Sequence, residues 1–106
     1  MMAQKTYNKL VRDRIPEIIG VSGKECRWET LEEEAYLRLL DEKLREELDE
    51  YLADHALEEI ADLLEVIRAV VVARGHTMDE VEQIRRDKAE KRGGFEKRIV
   101  LRGVSE

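Results

Sequence analysis

Apolar residues recur every three or four positions in the middle of this chain, and that spacing leaves few folds open. Such intervals place side chains on one face of a helix. The apolar positions are Leu37, Leu40, Leu44, Leu48 and Tyr51. We therefore predict a long helix over about 31–53, with Thr30 and Glu33 as a capping box at its start.

A second long helix is predicted directly after the first. Asp54 and His55 interrupt the periodicity, and the next helical stretch runs from about Ala56 to Arg74, where Gly75 follows. Residues 66–73 are apolar almost all the way round, so we expect this half of the helix to be buried on most sides.

Two shorter helices are expected near the ends of the chain. Pro16 suits the first turn of a short helix in the basic opening over 7–19, and the glycine-containing stretch 20–23 should break it. Thr77 and Glu80 form a second capping box, from which a more polar helix should run to about Arg92.

The tail that follows this last helix should be irregular or extended. Gly93 is a natural left-handed residue for the end of the helix. Residues 95–101 alternate enough to form a strand or a short extended arm.

The composition agrees with an all-α fold. Charged residues make up 42% of the 106 positions and hydrophobic residues another 42%, as in long amphipathic helices. This length suits one domain, which we place at 1–106. One antiparallel hairpin cannot surround the apolar half of the second helix, so we predict a homodimer or homotetramer that completes a four-helix-bundle-like core.

Several partners and locations are disfavoured by composition. The net charge of −6 argues against binding to nucleic acid, which requires surplus Lys and Arg. The longest uninterrupted apolar run, Ala69 to Ala73, is too short for a bilayer, and the start has no apolar stretch of signal-peptide length. Cys26 is the single cysteine, which suits a reducing compartment, so we predict a cytoplasmic protein.

Two pairs of acidic residues carry the chemistry that we expect. Glu47 and Glu50 share a face of the first long helix, and Glu59 and Asp62 share a face of the second. Glu47 and the second pair interrupt stripes that are otherwise apolar, where ionised carboxylates are costly unless paired or bound to a cation. A short connection brings the pairs together, and oxygen donors without His or Cys suit Mg²⁺, or Mn²⁺.

A plainer interpretation stays open beside the metal site. The acidic residues could be solvated faces, tied to Lys43, Arg45 or Arg68 by surface ion pairs. His55 and His76 are better explained as a turn residue and a helix-start residue than as ligands, since neither has metal-ligand spacing to another His or a cysteine.

Basic residues cluster at the two ends of the chain, around the acidic middle. Lys9 and Arg12 belong to the first cluster, whereas Lys88, Lys91 and Arg92 belong to the second. A polyphosphate requires such a combination, with metal on bridging oxygens and Lys or Arg on the others.

The motifs together resemble one family. Glu47-x-x-Glu50 followed by Glu59-x-x-Asp62 resembles the metal signature of the MazG-like, all-α nucleoside triphosphate pyrophosphohydrolases, which include phosphoribosyl-ATP pyrophosphohydrolases. The opening Tyr7-Asn8-Lys9-Leu10-Val11-Arg12-Asp13-Arg14-Ile15-Pro16 and the closing Lys91-Arg92-Gly93-Gly94-Phe95 are similar to one small-protein branch of that superfamily. Only eight residues separate Glu50 from Glu59, fewer than usual there, so we expect a tight hairpin.

The resemblance implies a reaction and a set of roles. The reaction is Mg²⁺-dependent hydrolysis of a nucleoside triphosphate, or a related nucleotide, between the α and β phosphates. The implied metal ligands are Glu47, Glu50, Glu59 and Asp62, and Glu46 or Glu47 is the candidate base. The implied phosphate contacts are Lys9, Arg12, Lys88, Lys91 and Arg92, with Gly93 and Gly94 allowing close backbone approach.

Two alternatives to this activity remain. The first is a phosphoribosyl-ATP pyrophosphohydrolase of histidine synthesis, which the same metal site could support. The second is a non-catalytic helical dimer that binds a nucleotide or a protein partner.

Overall fold

The structure is a computed structural model that describes residues 7–105, and these residues form four helices and no β-strand. The helices are α1 (Ile15–Val21), α2 (Glu33–Asp54), α3 (Leu57–Ala73) and α4 (Met78–Arg92). The all-α prediction is therefore confirmed. The strand alternative for residues 95–101 is wrong, because that segment opens with a turn in which the N–H of Arg98 donates to the carbonyl of Phe95.

A two-residue connection folds α2 and α3 into an antiparallel hairpin. His55 ends α2 in the left-handed conformation, with φ of 57°, and its N–H donates to the carbonyl of Tyr51. The Asp54 carboxylate accepts a hydrogen bond from the N–H of Ala56 at 3.0 Å, which holds the turn. The break predicted at Asp54 and His55 is thus where the chain reverses.

The two predicted capping boxes have different outcomes. At the start of α4 the box is present: the N–H of Glu80 donates to Thr77 Oγ1, and the N–H of Thr77 donates to Glu80 Oε1. At α2 the Thr30 box is wrong, because the N-cap is Glu32 and no side chain caps the helix. The carboxylates of Glu33 and Glu34 in the first turn instead stabilise the helix by interacting with the positive end of its dipole.

The short helix α1 begins as predicted and ends later than predicted. Pro16 lies in its first turn. The helix nevertheless continues through Gly20, because one helical glycine costs only about 1 kcal/mol relative to alanine. Ser22 follows the helix, and Gly23, with φ of 87°, then takes the conformation that favours glycine.

The hairpin has a thin core. Among apolar side chains of residues 7–105, only Leu40 and Val66 are buried. The radius of gyration is 19.0 Å, whereas a compact domain of this length has about 13 Å. Val72, which we expected to be covered, is 60% exposed. The apolar half of α3 is therefore not buried on most sides within a single chain.

The other helices add little cover to the hairpin. In the described part of the chain, α4 packs on α3 and does not reach α2, and α1 packs closely against no other helix. None of the helices found in residues 7–105 has the length and apolarity needed to cross a membrane.

Candidate metal centre

Carboxylates from both helices of the hairpin meet near its closed end. One oxygen each from Glu47 on α2 and from Glu59 and Asp62 on α3 lie within 4.8 Å of one another. Glu47 also belongs to a second such group with Glu46 and Glu50, all on α2. The convergence predicted from the short connection is present for Glu47, Glu59 and Asp62, and Glu50 lies next to it through Glu47.

Two oxygens in this cluster are buried without a hydrogen-bond partner. They are Oε2 of Glu47 and Oε2 of Glu59. Glu47 is only 7% exposed, as its position on the apolar stripe of α2 predicted. Buried polar atoms almost always have a partner, so an unpartnered pair of acidic oxygens indicates a site for a donor or a cation.

The electrostatics of the cluster oppose full ionisation. Burial is the main cause that raises the pKa of Glu47, and the nearby Glu50 carboxyl raises it further while Lys43 opposes the rise. Burial also raises the pKa of Glu59, to which the charges of Asp54 and Asp62 contribute. A divalent cation would remove this penalty by pairing with the charged forms.

Lys43 is a member of the cluster that the sequence analysis considered only as a surface residue. Its Nζ lies 3.3 Å from Oε1 of Glu46 and 3.3 Å from Oε1 of Glu47. The lysine side chain is 17% exposed, so this is a partly buried ion pair. Lys43 lies three residues before Glu46 and four residues before Glu47, and this helical spacing is the sequence signal that could have predicted both ion pairs. The alternative that the acidic residues are tied up in ion pairs with lysine or arginine therefore applies to Oε1 of Glu47. It does not account for Oε2, which has no partner.

Two basic residues of the opening motif lie at the rim of the cluster. Lys9 Nζ is 3.6 Å from Oε1 of Glu46, and Arg12 Nη2 donates to Oδ1 of Asp62 at 2.8 Å. These residues were predicted as phosphate contacts, and the structure brings both to the acidic site.

The basic residues of the closing motif lie elsewhere. Within residues 7–105, no hydrogen bond or ion pair joins the side chains of α4 to the acidic cluster, and α4 does not contact α2. The predicted phosphate contacts in this region are Lys88, Lys91, Arg92, Gly93 and Gly94. A single chain does not bring them to the carboxylates.

The two histidines lie outside the cluster. The ring of His55 meets Tyr51 edge-on, with 5.2 Å between centroids. His76 Nδ1 is 3.4 Å from Oε2 of Glu80 at the start of α4. Each occupies the turn or helix-start position expected of it.

The donor set fits a hard divalent cation. Glu47, Glu59 and Asp62 offer only oxygen atoms as ligands. One oxygen of Glu47 and one oxygen of Glu59 are buried and have no hydrogen-bond partner. Mg²⁺ and Mn²⁺ prefer carboxylate oxygens, whereas zinc and copper sites usually include His or Cys. The fold and the cluster thus define a helical-hairpin protein with a candidate carboxylate metal centre.

Comparison of the chain with protein-family models, with curated proteins and with solved structures found no match in any of the three.

Proposed function

We propose that this protein is a Mg²⁺-dependent nucleotide pyrophosphohydrolase, which splits a nucleoside triphosphate or a related nucleotide between the α and β phosphates. The products would be a nucleoside monophosphate and pyrophosphate. The observation that carries the proposal is the meeting of Glu47, Glu59 and Asp62 within 4.8 Å. The resemblance of the opening and closing motifs supplies the reaction.

The metal-binding residues in this proposal are Glu47, Glu50, Glu59 and Asp62, with Mn²⁺ as a possible substitute for Mg²⁺. When bound, the ion would supply Lewis-acid chemistry at the phosphate oxygens. Glu47 and Glu59 would present their unpartnered oxygens to it. Glu50 is exposed beside them and would complete the set from the solvent side.

In this proposal Glu46 or Glu47 is the base that accepts a proton from the attacking water. Glu46 does not belong to the group that Glu47 forms with Glu59 and Asp62, so its carboxylate is not required to hold a metal there. Its Oε1 atom lies 3.3 Å from Nζ of Lys43 and 3.6 Å from Nζ of Lys9, so the carboxylate is positioned at the rim of the cluster. We therefore favour Glu46 over Glu47 as the base.

Phosphate oxygens would be held by basic side chains around the cluster. Lys9 and Arg12 already lie at its rim. In the proposal the second set of contacts comes from Lys88, Lys91 and Arg92 of a second copy of the chain, because α4 does not reach α2 within one chain. Gly93 and Gly94 would allow close approach of the backbone. Guanidinium and ammonium groups bind phosphate strongly where several converge.

We further propose that the working form is a homodimer or homotetramer in the cytoplasm, with a nucleotide as its substrate. The exposed apolar residues of α3, such as Leu64 and Val72, support self-association, because a monomer would leave them in water. The acidic net charge of −6 disfavours a nucleic-acid partner.

The test is incubation of the pure protein with Mg²⁺ and a panel of nucleoside triphosphates plus phosphoribosyl-ATP, with pyrophosphate release as the readout. Turnover of phosphoribosyl-ATP alone would identify the histidine-synthesis alternative. Asp62→Ala should abolish turnover and keep its helical circular dichroism, whereas Glu58→Ala, an exposed neighbour outside the cluster, should retain activity.

Two results would contradict the proposal. Activity that survives Asp62→Ala would show that the site is wrong. No turnover of any nucleotide, together with unchanged thermal stability in EDTA, would favour the non-catalytic helical dimer.

A further inference from the structure

Arg12 and Asp62 form a contact between the opening motif and the candidate metal centre. Nη2 of Arg12 donates to Oδ1 of Asp62 at 2.8 Å, across 50 positions of sequence. Asp62 is also one of the three carboxylates that meet within 4.8 Å. A positively charged side chain thus occupies one oxygen of a carboxylate that a divalent cation would use.

This contact can be exchanged easily. Arg12 is 59% exposed and Asp62 is 42% exposed, and ion pairs so accessible to water contribute little to stability. The Lys43 pair with Glu47 differs, because the lysine is 17% exposed and the glutamate 9%. Of the two cations, Arg12 is the one that another ligand can displace.

The backbone around Arg12 has its own anchor, so its side chain can move alone. Leu10 and Lys9 line a small cavity of about 50 Å³ together with Leu39 and Lys43 of α2. Lys9 also pairs with Glu46. The half-buried Leu10 at this cavity places the segment against α2 independently of the Arg12–Asp62 pair.

We propose that Arg12 exchanges partners at the site: it neutralises Asp62 before a cation binds, and it transfers to a phosphate group once a divalent ion occupies Asp62. The inference rests on the proposed function. A guanidinium suits both partners, since its planar donors pair with two oxygens of a carboxylate or of a phosphate. Arg12 therefore competes with the metal and cooperates with the phosphate.

The exchange predicts effects of opposite sign in one variant. With Mn²⁺ alone, Arg12→Gln should bind the ion about two- to five-fold more tightly than the control, because the competing cation is gone. With saturating Mn²⁺ present, the same variant should bind pyrophosphate at least about ten-fold more weakly, because a charge-assisted hydrogen bond is lost.

The control variant is Arg14→Gln. It removes the same charge two positions away, but Arg14 pairs with Glu17 and not with the cluster. Mn²⁺ binding is measured by calorimetry and by the free Mn²⁺ signal in electron paramagnetic resonance, and pyrophosphate binding by calorimetry. Arg12→Lys, which keeps the charge, should bind Mn²⁺ like the wild type and provides a second variant with minimal change to the fold.

The outcomes separate this inference from the proposed function. Equal Mn²⁺ affinity for Arg12→Gln and Arg14→Gln, or weaker binding by Arg12→Gln, overturns the exchange and leaves the metal site standing. Unchanged pyrophosphate affinity overturns the transfer to phosphate. No Mn²⁺ binding by the wild type overturns the metal site and the exchange together.

Discussion

Lys43 lies one helical turn before Glu47, and its ammonium is 3.3 Å from the Oε1 atom of that buried carboxylate. The pair leaves the other oxygen, Oε2, without a partner. Lys43 thus pairs with one oxygen of Glu47, and the other oxygen remains available to the cluster. This division explains how a carboxylate that is 7% exposed is tolerated in the hairpin.

Lys43→Met should destabilise the metal-free protein. The substitution keeps the apolar stem and removes the partner of a buried acceptor, at a cost of about 1–3 kcal/mol. Urea denaturation in EDTA measures the loss, and Arg45→Met, an exposed change on the same helix, is the control. Addition of Mg²⁺ should recover part of the deficit; a loss that is the same with and without Mg²⁺ would separate Lys43 from the metal centre.

Glu47→Gln should change stability in opposite directions with and without metal. The raised pKa of Glu47 shows that its surroundings disfavour the charged form, so a neutral amide should raise the melting temperature in EDTA. Mg²⁺ at about 100 times its dissociation constant adds about 2.7 kcal/mol to the wild type, and the variant should lose most of this gain. Glu58→Gln should respond to Mg²⁺ as the wild type does.

Leu64→Glu should produce a smaller particle in solution. Leu64 is 56% exposed on α3, in the apolar surface that we assign to self-association. Ile84→Glu on α4 is a matched control, since Ile84 is also 56% exposed but lies outside the hairpin. Light scattering at micromolar concentration gives the masses. A wild type that is already monomeric would refute the predicted oligomer.

Glu80→Gln should lower the melting temperature at neutral pH and have progressively less effect in acid. The hydrogen bond with His76, and then that with the Thr77 N–H, lowers the pKa of Glu80 below 4.5. A group with a lowered folded-state pKa stabilises the fold above its unfolded pKa, and this contribution is lost as the pH falls through the folded value. Melting curves of both proteins from neutral pH to about pH 2.5 should therefore converge. Glu90→Gln, exposed on the same helix, should leave the melting temperature unchanged throughout.

Periodicity was enough to predict the hairpin and the buried carboxylate within it. The apolar line through Leu40, Leu44 and Glu47 predicted that Glu47 faces inward, because residues three and four apart share a helix face. The same reasoning placed Glu59 and Asp62 on the facing side of α3. The starts of helices were harder to predict from the sequence. Thr30 and Thr77 carry the same capping-box signature, but only Thr77 caps a helix.

Contacts made by irregular segments could not be predicted in this way. The partner of Arg12 is Asp62, which is 50 positions away, and no periodic pattern fixes the path of residues 7–14 over the hairpin. Lys43 was within reach of sequence reasoning, because its spacing to Glu47 is that of a helical ion pair. Lys43 lines a small cavity together with Leu10 and Leu39, and this meeting of the opening segment with α2 is a property of the folded chain.

The two-residue turn between α2 and α3 also sets the order in which the protein can fold. Glu47 and Asp62 are separated only by residues 48–61, so little loop entropy is lost when they meet. Proteins rich in such local contacts fold fast. The same event brings three carboxylates together, and their mutual repulsion should slow closure of the hairpin when no counterion is present. A divalent cation would therefore act on the rate of folding as well as on the stability of the folded chain.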